Sequence, residues 1–436
     1  MRKQSVPTLS LCLLVAAACG ETLTEPDGAD VAAARASADK PGAARNIVRF
    51  ATFNASLNRN FPGELMSDLA DGSDAQAQAV AEIIQRARPD VLLINEFDFD
   101  AGGVSMQRFQ DNYLSVAQNF SGEGPTQPIV YPFRYSAPSN TGIHSGFDLD
   151  RNGQVVNNPG GFQFDHAGDA FGFGTFEGQF GMAVYSMHPI DMAAVRTFQL
   201  FRWIDMPNAN LPIDPATQMS FYTAAELNVF RLSSKSHWDI PIQMDNQAVH
   251  FLVSHPTPPV FDGPEDKNGT RNFDEIRLWS DYVIPSRSGY IYDDNGMPGG
   301  LEPGAMFVIA GDQNADPNDG DSFPGAAQQL IEHPLVNTRV TPASAGGVEM
   351  AGQGPPNDTH ISDPAFDTAD FSEAAFGGPG NLRADYVLPR KNLAIQDAAV
   401  FWPTSDNPLF PLTGPGFPAV SSDHRLVWVD VKVPGK

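Results

Sequence analysis

Short apolar runs that hand the chain over to a carboxylate, amide or imidazole constrain this sequence more than any other feature. Ile47–Phe53 is followed by Asn54, and Val91–Ile94 by Asn95-Glu96. Val249–Val253 leads to Ser254-His255, and Phe307–Ala310 to Gly311-Asp312-Gln313-Asn314. Two further runs reverse the order: Asp385 opens Tyr386–Leu388, and Asp423-His424 precedes Leu426–Val433. Apolar stretches of this length and composition read as strands. Layered α/β folds collect their chemistry where strands meet loops. One such placement arises easily by chance; six in one chain do not.

Helical periodicity fills some of the gaps. Ala79, Val80, Ile83, Ile84 and Ala87 share one face of Ala75–Arg88, and Pro89 ends the pattern. Phe273–Ile284 is a second helix, carried by Ile276, Leu278, Trp279, Tyr282 and Val283. Met182–Tyr185 adds a further strand. Strands with interspersed helices and no internal repeat predict an α/β layered domain. Two stretches, 98–178 and 341–381, are dense in Gly, Asp, Asn and Phe. Loops of that length read as functional rims or lids. No linker divides the chain, so residues 46–436 form one domain.

The N-terminus carries a different signal. Arg2-Lys3, the apolar run Leu9–Ala18 and the small residues before Cys19 have the order of a secretory signal over residues 1–19. Ala16-Ala17-Ala18-Cys19-Gly20 resembles a bacterial lipoprotein cleavage site, with Ala16 where Leu is usual. Export is therefore expected, to the cell envelope through a lipidated Cys19 or to the medium. Residues 20–45 read as a flexible tether. Cys12 and Cys19 are the only cysteines, so no disulfide closes the mature fold. Core packing and bound ions must stabilise it, and a monomer is expected. The balance of 52 Asp+Glu against 27 Lys+Arg repels polyanions and draws cations. That weighs against a dedicated nucleic-acid binder, which presents a basic face. A nuclease with a metal-neutralised site stays open.

The ordered motifs are Thr52-Phe53-Asn54, Asn95-Glu96, Gly181-Met182-Ala183-Val184-Tyr185-Ser186, Ser254-His255, Gly311-Asp312-Gln313-Asn314-Ala315, Arg383-Ala384-Asp385-Tyr386-Val387-Leu388 and Ser422-Asp423-His424. Along about residues 46–434 this order resembles the endonuclease/exonuclease/phosphatase superfamily. The resemblance implies a four-layer sandwich of two mixed β-sheets flanked by helices, with long loop insertions. It implies a metal-dependent phosphoesterase, with a phosphodiesterase favoured over a nuclease or a phosphomonoesterase. Its metal, Mg²⁺ or Mn²⁺, would sit at Glu96 with Asn54 and Asp423, since such ions take hard oxygen ligands. His424 would activate water, and Asp385 would hold its tautomer. Asp312 and Asn314 would orient the nucleophile and bind non-bridging oxygens, while His255 would donate to the phosphate. The substrate would be a phosphoester on a small molecule, a lipid headgroup or a nucleic acid. A non-catalytic envelope binding protein is the reading of another class, and retention of Glu96, Asp312 and His424 argues against it.

The chain departs from the superfamily pattern in places. Asn95 stands where Gln is usual, and only Ser56 follows Asn54 at the second polar position. Arg271, Asn272, Glu275 and Arg277 occupy the region of a usual Arg and Gln pair. Substrate contact and helix-face salt bridges both remain open for the two arginines.

Two signals stand apart. Asp148-Leu149-Asp150-Arg151-Asn152-Gly153 matches the first half of a calcium loop, with Pro159 where the closing Glu belongs. Asp148, Asp150 and Asn152 are candidates for a structural Ca²⁺; a solvated turn is the alternative. The aromatic and glycine alternation from Phe171 to Phe180 places rings at the mouth of a site or beneath a loop.

Overall fold

The structure is a computed structural model describing residues 47–157, 164–244, 247–371, 378–416 and 418–435. The signal segment, Cys19 and the tether lie outside the described residues.

The strands run, in chain order, β1 (Ile47–Asn54), β2 (Val91–Asn95), β3 (Phe133–Tyr135), β4 (Met182–Ser186) and β5 (Arg196–Thr197). Then come β6 (Ile213–Asp214), β7 (Met219–Ser220), β8 (His237–Met244), β9 (Gln247–Ser254) and β10 (Met306–Asp312). The last are β11 (Ala369–Phe371), β12 (Gly380–Leu382), β13 (Asp385–Pro389), β14 (Ala394–Val400) and β15 (Val427–Lys432). One sheet has the order β14-β15-β1-β2-β4-β3, and a second has β13-β10-β9-β8-β5. Each is mixed, with β1 parallel to β2 and β9 parallel to β10 among antiparallel neighbours. β6–β7 and β11–β12 are small antiparallel pairs.

Period-two alternation sends consecutive side chains to different layers. Phe50, Val91, Leu93, Phe251, Val253, Val308, Val427 and Val429 meet between the two sheets. Ala51, Phe53, Leu92 and Ile94 face outward against Val80, Ile83 and Ile84. Leu252, Phe307 and Ile309 face outward on the other side, against Ile276, Leu278 and Trp279. Burying one such side chain contributes about 1.5–3 kcal/mol, so three clusters of this kind hold the layers together. The result is the expected two-sheet sandwich between helices.

The helix Ala75–Ala87 has the expected bounds for identifiable reasons. Asp74 accepts from Ala77 N at its start, and Arg88 closes it in the left-handed region at φ 50. The second helix, Lys267–Tyr282, begins well before the expected Phe273. Its first turns carry buried polar residues instead of an apolar stripe, so periodicity could not find them. The 98–178 stretch is likewise not bare loop. Val104–Phe109 and Gln110–Leu114 coil there, burying Met106, Phe109, Tyr113 and Leu114 against the outer face of the first sheet. β8 escaped the sequence reading because Pro241 interrupts it. Pro241 is tolerated because β5 pairs only with Trp238 and Asp239, and beyond them β8 meets only an isolated bridge at Ile190, where Pro241 O accepts from Asp191 N at 3.0 Å. Among the described residues no helix is long and apolar enough to cross a membrane.

Candidate active site

Parallel pairing brings the C-terminal ends of β1 and β2 together, with Asn54 opposite Asn95. β9 and β10 end on the same edge, and β13 starts there, with Asp312 opposite Asp385. Gly311, at φ 143, lets β10 pass beside β9, because a Cβ there would lie 2.0 Å from the Ser254 carbonyl oxygen. Two amides then tie the sheets to each other. Asn54 Nδ2 donates to Glu96 Oε1 at 3.1 Å and to Asp312 Oδ2 at 3.0 Å. Asn95 Oδ1 accepts from Asp312 N at 3.3 Å, and its Nδ2 donates to Ser254 O at 3.4 Å. Asn95 thus serves as an inter-sheet tie.

Four titratable groups form a buried row. Asp385 Oδ2 lies 2.8 Å from His424 Nδ1, and His424 Nε2 lies 3.6 Å from Asp312 Oδ2. His255 Nε2 approaches the same Asp312 oxygen at 3.3 Å, while its Nδ1 is buried without a partner. Burial pushes the His424 imidazole down, but Asp385 and then Asp312 outweigh it and hold the ring well above its ordinary value. Burial, then the nearby Lys235 charge, pushes His255 down to about 4, so that ring is neutral. Asp312 would rise on burial, yet the His424 and His255 rings bring it below the usual carboxylate range. Asn314 N donates to Asp312 Oδ1 at 2.9 Å, and its Nδ2 donates to Pro256 O at 3.2 Å.

Glu96 turns away from β2 in the left-handed region, at φ 58. A non-glycine residue there costs about 1–3 kcal/mol and persists where the surroundings over-determine it. Its oxygens accept from Asn54 and, at 2.8 Å, from Asn58 Nδ2. Asp423 Oδ1 accepts from Ser56 Oγ at 3.1 Å. Burial, then the Asp423 charge, raises Glu96 to about 7. Two hard-oxygen acids that repel each other form a donor pair that fits a divalent cation, while Asn54 turns its amide nitrogen to Glu96 and its oxygen accepts from Ser56 N at 3.2 Å. Asp312, Asp385 and His424 also lie within coordinating range of one another. His424 Nδ1 and Asp385 are already spent on each other, so the Glu96 side is the better fit.

Three residues of the site escaped the sequence reading. Lys235 is only 6% exposed, and burial pushes its amine below the ordinary lysine value against the opposing fields of Glu275, Glu96 and Asp312. It precedes β8, the strand hidden by Pro241. Asn58, which holds Glu96, and Thr368, which donates to Asp385 at 2.9 Å, carry no motif. The arginines left open are now placed. Arg271 donates to the carbonyls of Leu232, Phe171 and Arg231. Arg277 binds Asp281 and the carbonyls of Pro207 and Asn208. Both brace loops. Glu275 does the same from the other sign, accepting from Ser234 N and Thr257 N.

In the calcium-like loop, Asp169 comes within ligand distance of Asp148 and Asp150. Asn152 instead turns its amide onto Asp150 Oδ2 at 3.1 Å. Phe171 and Phe176 fill the underside of their loop, whereas Phe173 is 51% exposed beside Phe164.

Residues 51–424 match the pattern of the Endonuclease/Exonuclease/phosphatase family. No curated protein matches the sequence. Among solved structures, an endonuclease/exonuclease/phosphatase from Beutenbergia cavernae DSM 12333 is 16% identical, with a TM-score of 0.44, over 90% of this chain and 72% of the other. An endonuclease/exonuclease/phosphatase family protein from Leptotrichia buccalis C-1013-b is 14% identical, with a TM-score of 0.43, over 88% and 100%. Sphingomyelinase C from Streptomyces griseocarneus is 13% identical, with a TM-score of 0.41, over 88% and 99%.

Proposed function

The chain belongs to the endonuclease/exonuclease/phosphatase family, and from that premise we propose that it is an exported, divalent-metal-dependent phosphodiesterase. The observation that carries this reading is His424, held at Nδ1 by Asp385 and facing Asp312 with Nε2.

Glu96 and Asp423, joined by Asn54 once its amide is turned over, would hold Mg²⁺ or Mn²⁺, which when bound polarises the phosphoryl oxygen and offsets its developing charge. The remaining work falls to the chain's own groups. His424 Nε2 takes a proton from water as the water oxygen attacks phosphorus in line. The ester oxygen on the opposite side leaves as the P–O bond breaks. Asp385 keeps the other imidazole proton on Nδ1. Asp312 and Asn314 orient the water and the non-bridging oxygens, and His255 holds Asp312. Lys235 brings a buried amine within the fields of Glu96 and Asp312, a further hydrogen-bond donor for the phosphoryl oxygens. Export rests on the order of residues 1–19, with Cys19 as the point of lipid attachment and a monomer as the working form. The reading also carries a structural Ca²⁺ between Asp148 and Asp150, completed by Asp169.

The test uses metal-stripped mature protein with bis-p-nitrophenyl phosphate and p-nitrophenyl phosphate, with and without Mg²⁺ or Mn²⁺. Metal-dependent cleavage of the diester is expected, falling by about 10²–10⁴ in His424→Ala. Undiminished turnover in that variant overturns the mechanism, and preference for the monoester makes the protein a phosphatase.

A further inference from the structure

Thr368 lies in the 341–381 stretch, which reads from sequence as a rim or lid, yet it is 1% exposed and sits behind His424. Its hydroxyl has one hydrogen to give and two lone pairs to fill. Ala384 N and Asp385 N donate to that oxygen at 3.0 and 2.9 Å, so both lone pairs are taken. The hydrogen is therefore left for Asp385 Oδ2, at 2.9 Å. That is the oxygen facing His424 Nδ1 at 2.8 Å, whereas Asp385 Oδ1 is buried without a partner. Two donors converge on one carboxylate oxygen, so together they fix the plane and position of the Asp385 carboxylate.

The backbone around Thr368 reinforces this. Thr368 O accepts from Arg425 N at 2.7 Å, and Asp370 N donates to Asp423 O at 2.8 Å. The segment thus runs antiparallel beside Asp423-His424. Phe371 sets its ring edge-on to the imidazole, with centroids 5.1 Å apart. The imidazole is confined on this side as well as through Nδ1.

We propose that Thr368 is a positioning residue for the His424–Asp385 pair: its hydroxyl fixes the Asp385 carboxylate so that the His424 proton stays on Nδ1 and Nε2 is the free base. The insertion is then a clamp on the reacting pair. The proposal rests on the reading of His424 as base, and its test separates the two.

The test compares Thr368→Val, which keeps shape without the hydroxyl, with Thr368→Ser, which keeps the hydroxyl. Imidazole ¹H–¹⁵N spectra of histidine-labelled full-length protein report the tautomer, with the His424 signal assigned by its loss in His424→Ala. At a pH above the His424 midpoint, where the ring is neutral, wild type and Thr368→Ser should show the Nδ1–H form, and Thr368→Val should lose it or mix it with the other. On bis-p-nitrophenyl phosphate kcat should fall about 10- to 100-fold in Thr368→Val at unchanged KM, and recover in Thr368→Ser. Thr368→Ala gives the same readout should the valine variant not fold. An intact Nδ1–H signal with wild-type kcat in a hydroxyl-free variant overturns the proposal. The spectrum decides it even when wild type turns over no ester, an outcome that sinks only the catalytic reading.

Discussion

The chain gathers acidic groups twice, and the backbone treats the two gatherings differently. In the crevice, Asp312 and Asp385 are each 1% exposed, and both meet the His424 imidazole, brought from a distant segment. In the loop cluster, Asp148 accepts from Asn152 N and Gly153 N, and Asp169 from Leu149 N and Val156 N. Asp148 satisfies itself on its own turn, and Asp169 on backbone amides 13 and 20 residues away. The crevice acids depend on imidazoles and amides far along the chain, in a setting where an unpaired charge is expensive. A charge change in the loop is absorbed locally, whereas one in the crevice dismantles a row.

The strongest way to break this contrast is a matched pair of substitutions. Asp312→Asn should lower kcat/KM by about 10³ with the fold intact, while Asp148→Asn leaves turnover within about twofold. Steady-state kinetics on the diester, with melting curves for both, decide it; equal losses would end the distinction. Next comes the acid-metal coupling. Glu96→Gln should raise the Mg²⁺ concentration for half-maximal activity by about 10- to 100-fold, read from a metal titration. An unchanged titration would move the ion to another set of ligands.

A third effect is in the pH profile. His424 must be neutral to accept a proton, and Asp385 and Asp312, against burial, hold its pKa above 6.5. Activity should therefore fall as pH drops through a midpoint above 6.5, and Asp385→Asn should move that midpoint down. A limb below 6.5 in the wild type contradicts the placement. The smallest effect belongs to the loop. Saturating Ca²⁺ should stabilise the fold by about 2–3 kcal/mol at 100 times Kd, seen as a rise in Tm. Asp169→Asn should abolish that rise, and Asn152→Ala should leave it. A rise that survives loss of Asp169 returns the ligand role to Asn152.

Much of the fold was legible because it is written in local pattern. The runs that became β1, β2, β4, β9, β10, β13 and β15 carry their own periodicity, and Pro89 marks the end of its helix in sequence. What stayed hidden has a physical reason in each case. Pro241 breaks the signal of β8, and with it the position of Lys235. The first turns of Lys267–Tyr282 bury Asn272 and Glu275 against site loops, replacing an apolar stripe with hydrogen bonds that no periodicity reports. Thr368 looks like any other threonine in a long loop until the proton count on its hydroxyl is made.

The sequence by itself determined which residues stand at strand ends, since alternation and breakers act between near neighbours. Only the tertiary structure decided which of them share a proton or a charge. Asn54 and Asp312 are 258 residues apart, and Asp385 and His424 are 39 apart. Their meeting depends on two sheets closing at one edge, where burial removes the water that would otherwise screen each charge from the next.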